Sequence, residues 1–204
     1  MRVEQLLIAT RSEGKLRELR PLFDRVGLPI IDLRQAGLPP TPSEDDLEDA
    51  DTFEANALAK ARHFARFAGR AVVADDSGLE VMALGGRPGV HSKRWSGRSD
   101  LGGRGLDDAN NARLMKELDG VLDRRARYVC VAAFVEGETE LVARGTAAGL
   151  ILDRARGSGG FGYDPYFLSD ELAKTFAEAT IEEKESVSHR GRAFRALIAE
   201  LERR

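Results

Sequence analysis

The stretch VEQLLIATRSEGKLRELRPLFDRVGLPIIDL, Val3 to Leu33, changes its periodicity twice. Val3 to Thr10 is apolar and β-branched, the character of a short buried strand. In the following RSEGKLRELRPLFDRVG, residues Leu16, Leu19, Leu22, Phe23 and Val26 fall on one helix face, and Gly27 is placed to close the helix. LPIIDL then reads as a second strand. Strand, helix and strand in that order point to an α/β fold.

Working outward, Gly37 to Asp51 (GLPPTPSEDDLEDAD) is rich in proline and acid and reads as an exposed loop. TFEANALAKARHFARFAG is the clearest helix. Its face carries Phe53, Ala57, Ala61, Phe64 and Ala68, with Thr52 as N-cap and Gly69 as terminator. VVADDSGLE, Val72 to Glu80, takes a β-type segment to what reads as its end at two adjacent aspartates, and a glycine-rich stretch follows. Asp107 to Leu118 reads as a third helix. ARYVCVAAFVEGETELVARGTAAGLIL reads as two long strands joined at EGET, forming either a separate lobe or an extension of the sheet. RGSGGFGYDPYFL is a glycine-rich loop entering a strand, and the second half of KESVSHRGRAFRALIAELERR reads as a surface helix. No linker divides the chain, so residues 1–204 are expected to be one domain.

The composition is that of an ordinary soluble globular protein: 42% hydrophobic and 32% charged residues. With 31 basic and 34 acidic residues the formal net charge is −3, which gives no electrostatic case for a nucleic-acid partner. No segment approaches the roughly 18 apolar residues that span a membrane, and the N-terminal apolar stretch is too short for a signal peptide. The single cysteine, Cys130, lies in an apolar run and reads as a buried small hydrophobe. A cytoplasmic protein is expected.

Four segments concentrate polar and glycine-rich character at element ends. ATRSEGK joins the first strand to the first helix. Backbone N–H groups at a helix start attract anions and Lys15 adds a full charge, yet an ordinary connection with a surface lysine would look the same. In VVADDSGLE, Asp75 and Asp76 offer oxygen donors that suit Mg²⁺, or a base toward water, or simply an Asx-type turn. In GSGGFGYDP, the glycines permit close backbone approach and Phe161 and Tyr163 offer faces on which a base can stack; a hairpin with core aromatics is the alternative. In EEKESVSHRGRA, Lys184, His189 and Arg190 can engage phosphates or carbonyl oxygens, as a solvated basic face also would. His63 reads as structural, and His91 has no evident partner. No His/Cys spacing suggests zinc. Together the four segments supply metal ligands, phosphate donors and a stacking loop, an inventory that suits a nucleotide.

In that order, ATRSEGK, TFEANALAKA, ADDSGLEV, GSGGFGYDP and SHRG resemble the inosine/xanthosine triphosphate pyrophosphatase family, from Leu7 to about Leu197. The resemblance implies a mixed central β-sheet flanked by helices, two lobes around a nucleotide-binding cleft, and a homodimer. It further implies Mg²⁺-dependent hydrolysis of dITP, ITP and XTP to the monophosphate and pyrophosphate, which keeps those nucleotides out of DNA and RNA. Carried over by motif, Thr10, Arg11, Ser12, Glu13, Gly14 and Lys15 look like the triphosphate-binding turn, and Lys60 like a further phosphate contact. Asp76 looks like the metal-binding catalytic acid and Ser77 like a substrate contact. Phe161, Gly162, Tyr163 and Asp164 look like the base and ribose loop. Lys184, His189 and Arg190 look like the residues that read the purine's oxygen-bearing edge.

The chain departs from that pattern twice. Ser12 stands where the family usually has asparagine, and serine is shorter and lacks the amide NH₂. Leu47 stands where many members carry a second metal-binding glutamate; Glu48 is the expected substitute, with Glu44 also nearby. The expected chemistry is water attack on the α-phosphorus, with Lys15 and Lys60 stabilising the departing pyrophosphate. Selection is expected at the purine 6-position, where a carbonyl satisfies donors that an amino group leaves unpaired. Asp75 is left between a supporting role and a second catalytic carboxylate.

Overall fold

The computed structural model describes residues 5–203, except the side chains of Asp45 and Asp46. Val3 and Glu4, the first residues of the expected opening strand, lie outside the described residues. The strand appears as β1 (Leu6–Ile8), followed by α1 (Glu13–Arg25) and β2 (Ile30–Asp32). Ser12 caps α1 by accepting from the Lys15 backbone N–H, and Leu16, Leu19, Leu22 and Phe23 form its buried face. β1 pairs in parallel with β2, as a βαβ unit requires.

The acidic stretch is more ordered than an exposed loop. Pro42–Glu48 forms a 3₁₀ helix opened by a capping box between Thr41 and Glu44, with proline in its first turn. α2 (Phe53–Ala68) starts at Thr52, whose hydroxyl accepts from Ala55 N–H, and stops at Gly69 in the left-handed conformation (φ 60°). Its buried face holds Phe53, Ala57, Ala61 and Phe64, and also two polar residues one turn apart, Asn56 and Lys60. β3 spans Val72–Val81, so the two aspartates lie inside a strand and not at its end. The β-branched start and the buried Leu79 and Val81 carry the pairing past the charges.

α3 (Gly103–Glu117) begins four residues before the expected Asp107. β4 (Arg125–Glu136) and β5 (Thr139–Ile151) are the two long strands, neighbours in the sheet, and β6 (Phe167–Ser169) pairs antiparallel with β5. The mixed six-stranded sheet has the order β2-β1-β3-β4-β5-β6. α4 (Ile181–Val187) and α5 (His189–Glu202) end the chain. α5 is the expected surface helix: Arg195 and Ala196 are exposed, while Ala193, Phe194, Leu197 and Ile198 are buried. Their spacing gives the helix an apolar stripe that must pack on something.

The described chain divides into two compact units, each with its own core. The first takes residues up to Asp76, Cys130–Gly145 and those from Arg190 on. Its core gathers β1, α1 and α5 side chains with Val73, Cys130 and Phe134, and Phe23 meets Phe194 edge-on at 5.8 Å. The second takes Ser77–Val129 and Thr146–His189. Its core is built on Leu79, Val81, Leu114, Tyr128, Tyr163, Phe167 and Phe176. The boundary between the two units falls within β3, β4 and β5.

Candidate active site

In the first unit, Asp75 and Asp76 are 1% and 6% exposed, and different neighbours make each tenable. The Asp75 carboxylate lies 3.0 Å from Lys15 Nζ and 3.2 Å from Arg190 Nε, and accepts from the Cys130 thiol at 3.7 Å. Its backbone carbonyl accepts from Lys60 Nζ at 2.9 Å and from Lys15 Nζ at 3.4 Å. Burial pushes the Asp75 carboxyl up, but Lys15, Arg190 and Lys60 together outweigh it and hold the group far below the usual carboxylate range.

Asp76 is different. Its Oδ2 accepts from Asn56 Nδ2 at 2.9 Å, and Asn56 is in turn held by the backbone of Ala50, accepting from N–H at 2.8 Å and donating to C=O at 3.3 Å. Burial raises the Asp76 carboxyl, the nearby Glu48 charge adds to that, and the pull of Lys15, Lys60 and the Asn56 amide does not cancel it. Glu48 also pairs with Lys60. Glu44, the other candidate beside Leu47, belongs elsewhere: it accepts from Arg11 Nε at 3.0 Å and Nη2 at 2.8 Å and closes the capping box.

Among the described residues no three His, Cys, Asp or Glu side chains form a metal cage. Two carboxylates, Asp76 and Glu48, are what the first unit offers. That donor set fits Mg²⁺, which takes one or two carboxylates and fills its other positions with water and substrate phosphates. It does not fit zinc, which wants nitrogen and sulfur.

The remaining first-unit residues surround the same turn. Thr10 Oγ1 accepts from Ser12 N–H at 3.2 Å, and Ser12 Oγ accepts from Lys15 N–H at 3.3 Å, so both hydroxyls fix the approach to α1. Glu13 and Gly14 form its first turn. Burial lowers the affinity of Lys15 for its proton, but Asp75, with Glu48 and Asp76, outweighs burial and the repulsion from Arg190, so the ammonium is held charged. Arg11, expected on the triphosphate, instead ties this turn to Glu44 and to the Leu38 carbonyl at 2.8 Å.

In the second unit Asp164 is the organising group. Its Oδ2 accepts from Lys184 Nζ at 2.5 Å and from Phe161 N–H at 2.8 Å, and its Oδ1 accepts from the Tyr128 hydroxyl at 3.4 Å. Gly162 is held on both sides: its N–H donates to Asp107 at 2.8 Å and its carbonyl accepts from Asn111 Nδ2 at 2.9 Å. Gly160, at φ 70°, is obligatory, because a Cβ there would sit 2.1 Å from Asp164 Oδ2. Lys184 Nζ lies 5.1 Å from the Phe161 ring centroid and 5.2 Å from that of Phe176. His189 is buried and stacks on Tyr128. Ser77, half-buried, follows Asp76 along β3.

Two expected site residues make contacts that the sequence did not suggest. Tyr163 was expected to offer a stacking face, but its ring is buried in the second core and its hydroxyl donates to the Ser92 carbonyl at 2.8 Å. Only Phe161 keeps a partly exposed ring. Arg190 was grouped with Lys184 and His189; its guanidinium instead belongs to the first unit, between Glu18 and Asp75. The sequence reading missed Asn56, Asn111, Asp107 and Tyr128. Asn56 alone left a signal, a polar residue on the apolar face of α2 one turn before Lys60.

Residues 6–200 match the Ham1 family. Over 202 residues the chain is 43% identical to the dITP/XTP pyrophosphatase of Ralstonia nicotianae, covering 98% of this chain and 97% of that protein. It is 48% identical over 205 residues to the dITP/XTP pyrophosphatase of Mycobacterium bovis, covering 98% and 96%. Among solved structures, the Staphylococcus aureus Ham1 protein superposes with a TM-score of 0.80 at 36% identity, covering 97% of this chain and 98% of that one. A HAM1 protein from Coxiella burnetii gives 0.82 at 32% identity, covering 98% and 99%. By match length, identity and fold, the chain belongs to the Ham1 family.

Proposed function

We propose that this protein hydrolyses deaminated purine nucleoside triphosphates, dITP, XTP and ITP, to the monophosphate and pyrophosphate, with Mg²⁺ as cofactor. The observation that carries the reading is the division between neighbours: Asp75 gathers Lys15 and Lys60, while Asp76 is held by an amide beside a second carboxylate. The activity named for the full-length relatives gives that arrangement its substrate.

Lys15 and Lys60 place two positive charges at the start of α1 and on α2, where they would bind the triphosphate and offset the charge that grows on the leaving pyrophosphate. Backbone N–H groups at the α1 N-terminus add to that attraction. Water oxygen forms a bond to the α-phosphorus as the bond to the bridging oxygen breaks, and the water proton passes to the Asp76 carboxylate. Asp76 and Glu48 are the residues that would hold Mg²⁺, which supplies charge neutralisation on the phosphate oxygens when bound.

In the second unit, Phe161 offers a ring for the base, and Lys184 and His189 offer donors for the purine 6-carbonyl, leaving Arg190 to the Asp75 cluster. An adenine amino group would set a donor against those donors where inosine or xanthine offers an acceptor, a mismatch that disfavours it. We read the enzyme as a cytoplasmic homodimer, from the family resemblance. No helix among the described residues is long and apolar enough to cross a membrane.

The test is phosphate release from dITP, assayed with and without inorganic pyrophosphatase and with Mg²⁺ or EDTA. Phosphate should appear only with both the coupling enzyme and Mg²⁺. Orthophosphate released without the coupling enzyme would contradict the assignment.

A further inference from the structure

One side chain in the second unit touches one proposed base-reading donor and the carboxylate that holds the other, and it is neither charged nor part of a glycine-rich loop. Tyr128, on β4, is buried, and its ring lies flat on His189 with centroids 4.5 Å apart and planes 7° from parallel. The ring also lies nearly parallel to Phe176 at 5.8 Å and 11°, and tilts against Phe167 at 4.7 Å. Its hydroxyl donates to Asp164 Oδ1 at 3.4 Å, and the other oxygen of Asp164 holds Lys184 and the Phe161 N–H. Tyr128 thus reaches His189 through its face and Lys184 through its hydroxyl and Asp164.

An imidazole has a soft rotation about its last side-chain bond, broad and roughly two-fold. A flat aromatic contact inside a packed cluster removes that freedom, because turning the ring would drive its edge into the neighbour's face. A donor that selects a carbonyl over an amino group must keep its direction to within roughly 10–20° for the wrong base to be penalised. The hydroxyl bond at 3.4 Å is long, so the face carries more of this than the oxygen does.

We propose that Tyr128 is a positioning residue for base selection: its ring fixes the plane of His189, and with it the preference for a 6-carbonyl purine. The inference rests on the reading that His189 addresses the base.

Tyr128→Phe, Tyr128→Leu, Tyr128→Met and His189→Ala would each be assayed with dITP and dATP, taking kcat and KM separately. The ratio of kcat/KM for the two substrates does not depend on how much enzyme is folded, so partial loss of fold cancels. Tyr128→Met keeps a large apolar side chain in the core and serves if Tyr128→Leu does not fold. Tyr128→Phe should keep the ratio within about twofold, and Leu or Met should narrow it by about tenfold, the size of one aromatic stacking contact. The loss should fall on KM for dITP with kcat near wild type. An unchanged ratio in Leu and Met, with a narrowed ratio in His189→Ala, would overturn the role of Tyr128 alone. An unchanged ratio in His189→Ala would overturn the base-reading assignment itself.

Discussion

Asp75 and Asp76 are consecutive on β3, yet their carboxylates answer to different elements. Asp75 meets Lys15 of α1 and Arg190 of α5, while Asp76 meets Asn56 of α2. Side chains alternate along a strand, so neighbours in sequence face opposite ways. Three helices that pack on one sheet can therefore give the two acids opposite electrostatic fates. One carboxyl is held well below its ordinary value by the cations around it, and the other is raised above it by burial.

That division makes Asp76→Asn a mutation of chemistry and not of fold. It keeps the side-chain volume and removes the proton acceptor. kcat for dITP should fall by about a hundred- to ten-thousand-fold, the usual worth of a general base. The thermal midpoint should stay close to that of the wild type. A turnover within a few-fold of wild type would contradict the role assigned to Asp76.

Asp75→Asn should do the reverse to stability. It leaves Lys15 and Arg190 buried with one counter-charge fewer, and breaking a buried pair costs about 3–5 kcal/mol. The sign follows from the depressed Asp75 carboxyl: its stabilisation is complete above the ordinary carboxylate value and is lost as pH falls. Denaturant unfolding at pH 7 and again near pH 3 should show the gap between wild type and variant narrowing on acidification. A gap that widens toward low pH would refute the pairing.

The two carboxyls should also be separable by titration. In metal-free protein labelled at the aspartate carboxyl carbons, NMR should find Asp76 titrating above the ordinary value of about 3.9 and Asp75 staying ionised well below it. Glu48→Gln removes a like charge and should move Asp76 downward; adding Mg²⁺ to the wild type should do the same. Asp75 titrating above Asp76 would reverse the assignment.

Gly160→Ala tests the loop. The left-handed backbone and a Cβ 2.1 Å from Asp164 Oδ2 both oppose it, so stability should drop by about 1–3 kcal/mol. Because Asp164 holds Lys184, KM for dITP should rise more than kcat falls. Equal losses in both would point away from a binding loop.

Local chemistry was legible in the sequence. Thr52 and Gly69 bound α2 where they were expected because a hydroxyl cap and a left-handed glycine act within a few residues. The aspartate pair and the glycine-rich loop were visible for the same reason. Partnerships made by tertiary folding were not. Arg190 and Glu18 lie 172 residues apart in the chain, and nothing near SHRG announces the ion pairs that Arg190 makes with Glu18 and Asp75. Tyr128 sits in an apolar strand run and Tyr163 in a glycine-rich loop, yet both rings enter the second core, and only packing shows that Tyr128 also backs His189. The 3₁₀ helix at Pro42–Glu48 was hidden because acid and proline usually signal a loop, although its Thr-x-x-Glu capping box was there to be read.

The most direct test of the account is the fate of the attacking oxygen. Hydrolysis of dITP in ¹⁸O-labelled water, followed by mass spectrometry of the products, reports which phosphorus the water strikes. Attack at the α-phosphorus, activated by Asp76, predicts one labelled oxygen in dIMP and none in pyrophosphate. Label in pyrophosphate, or in orthophosphate released beside a diphosphate, would contradict it.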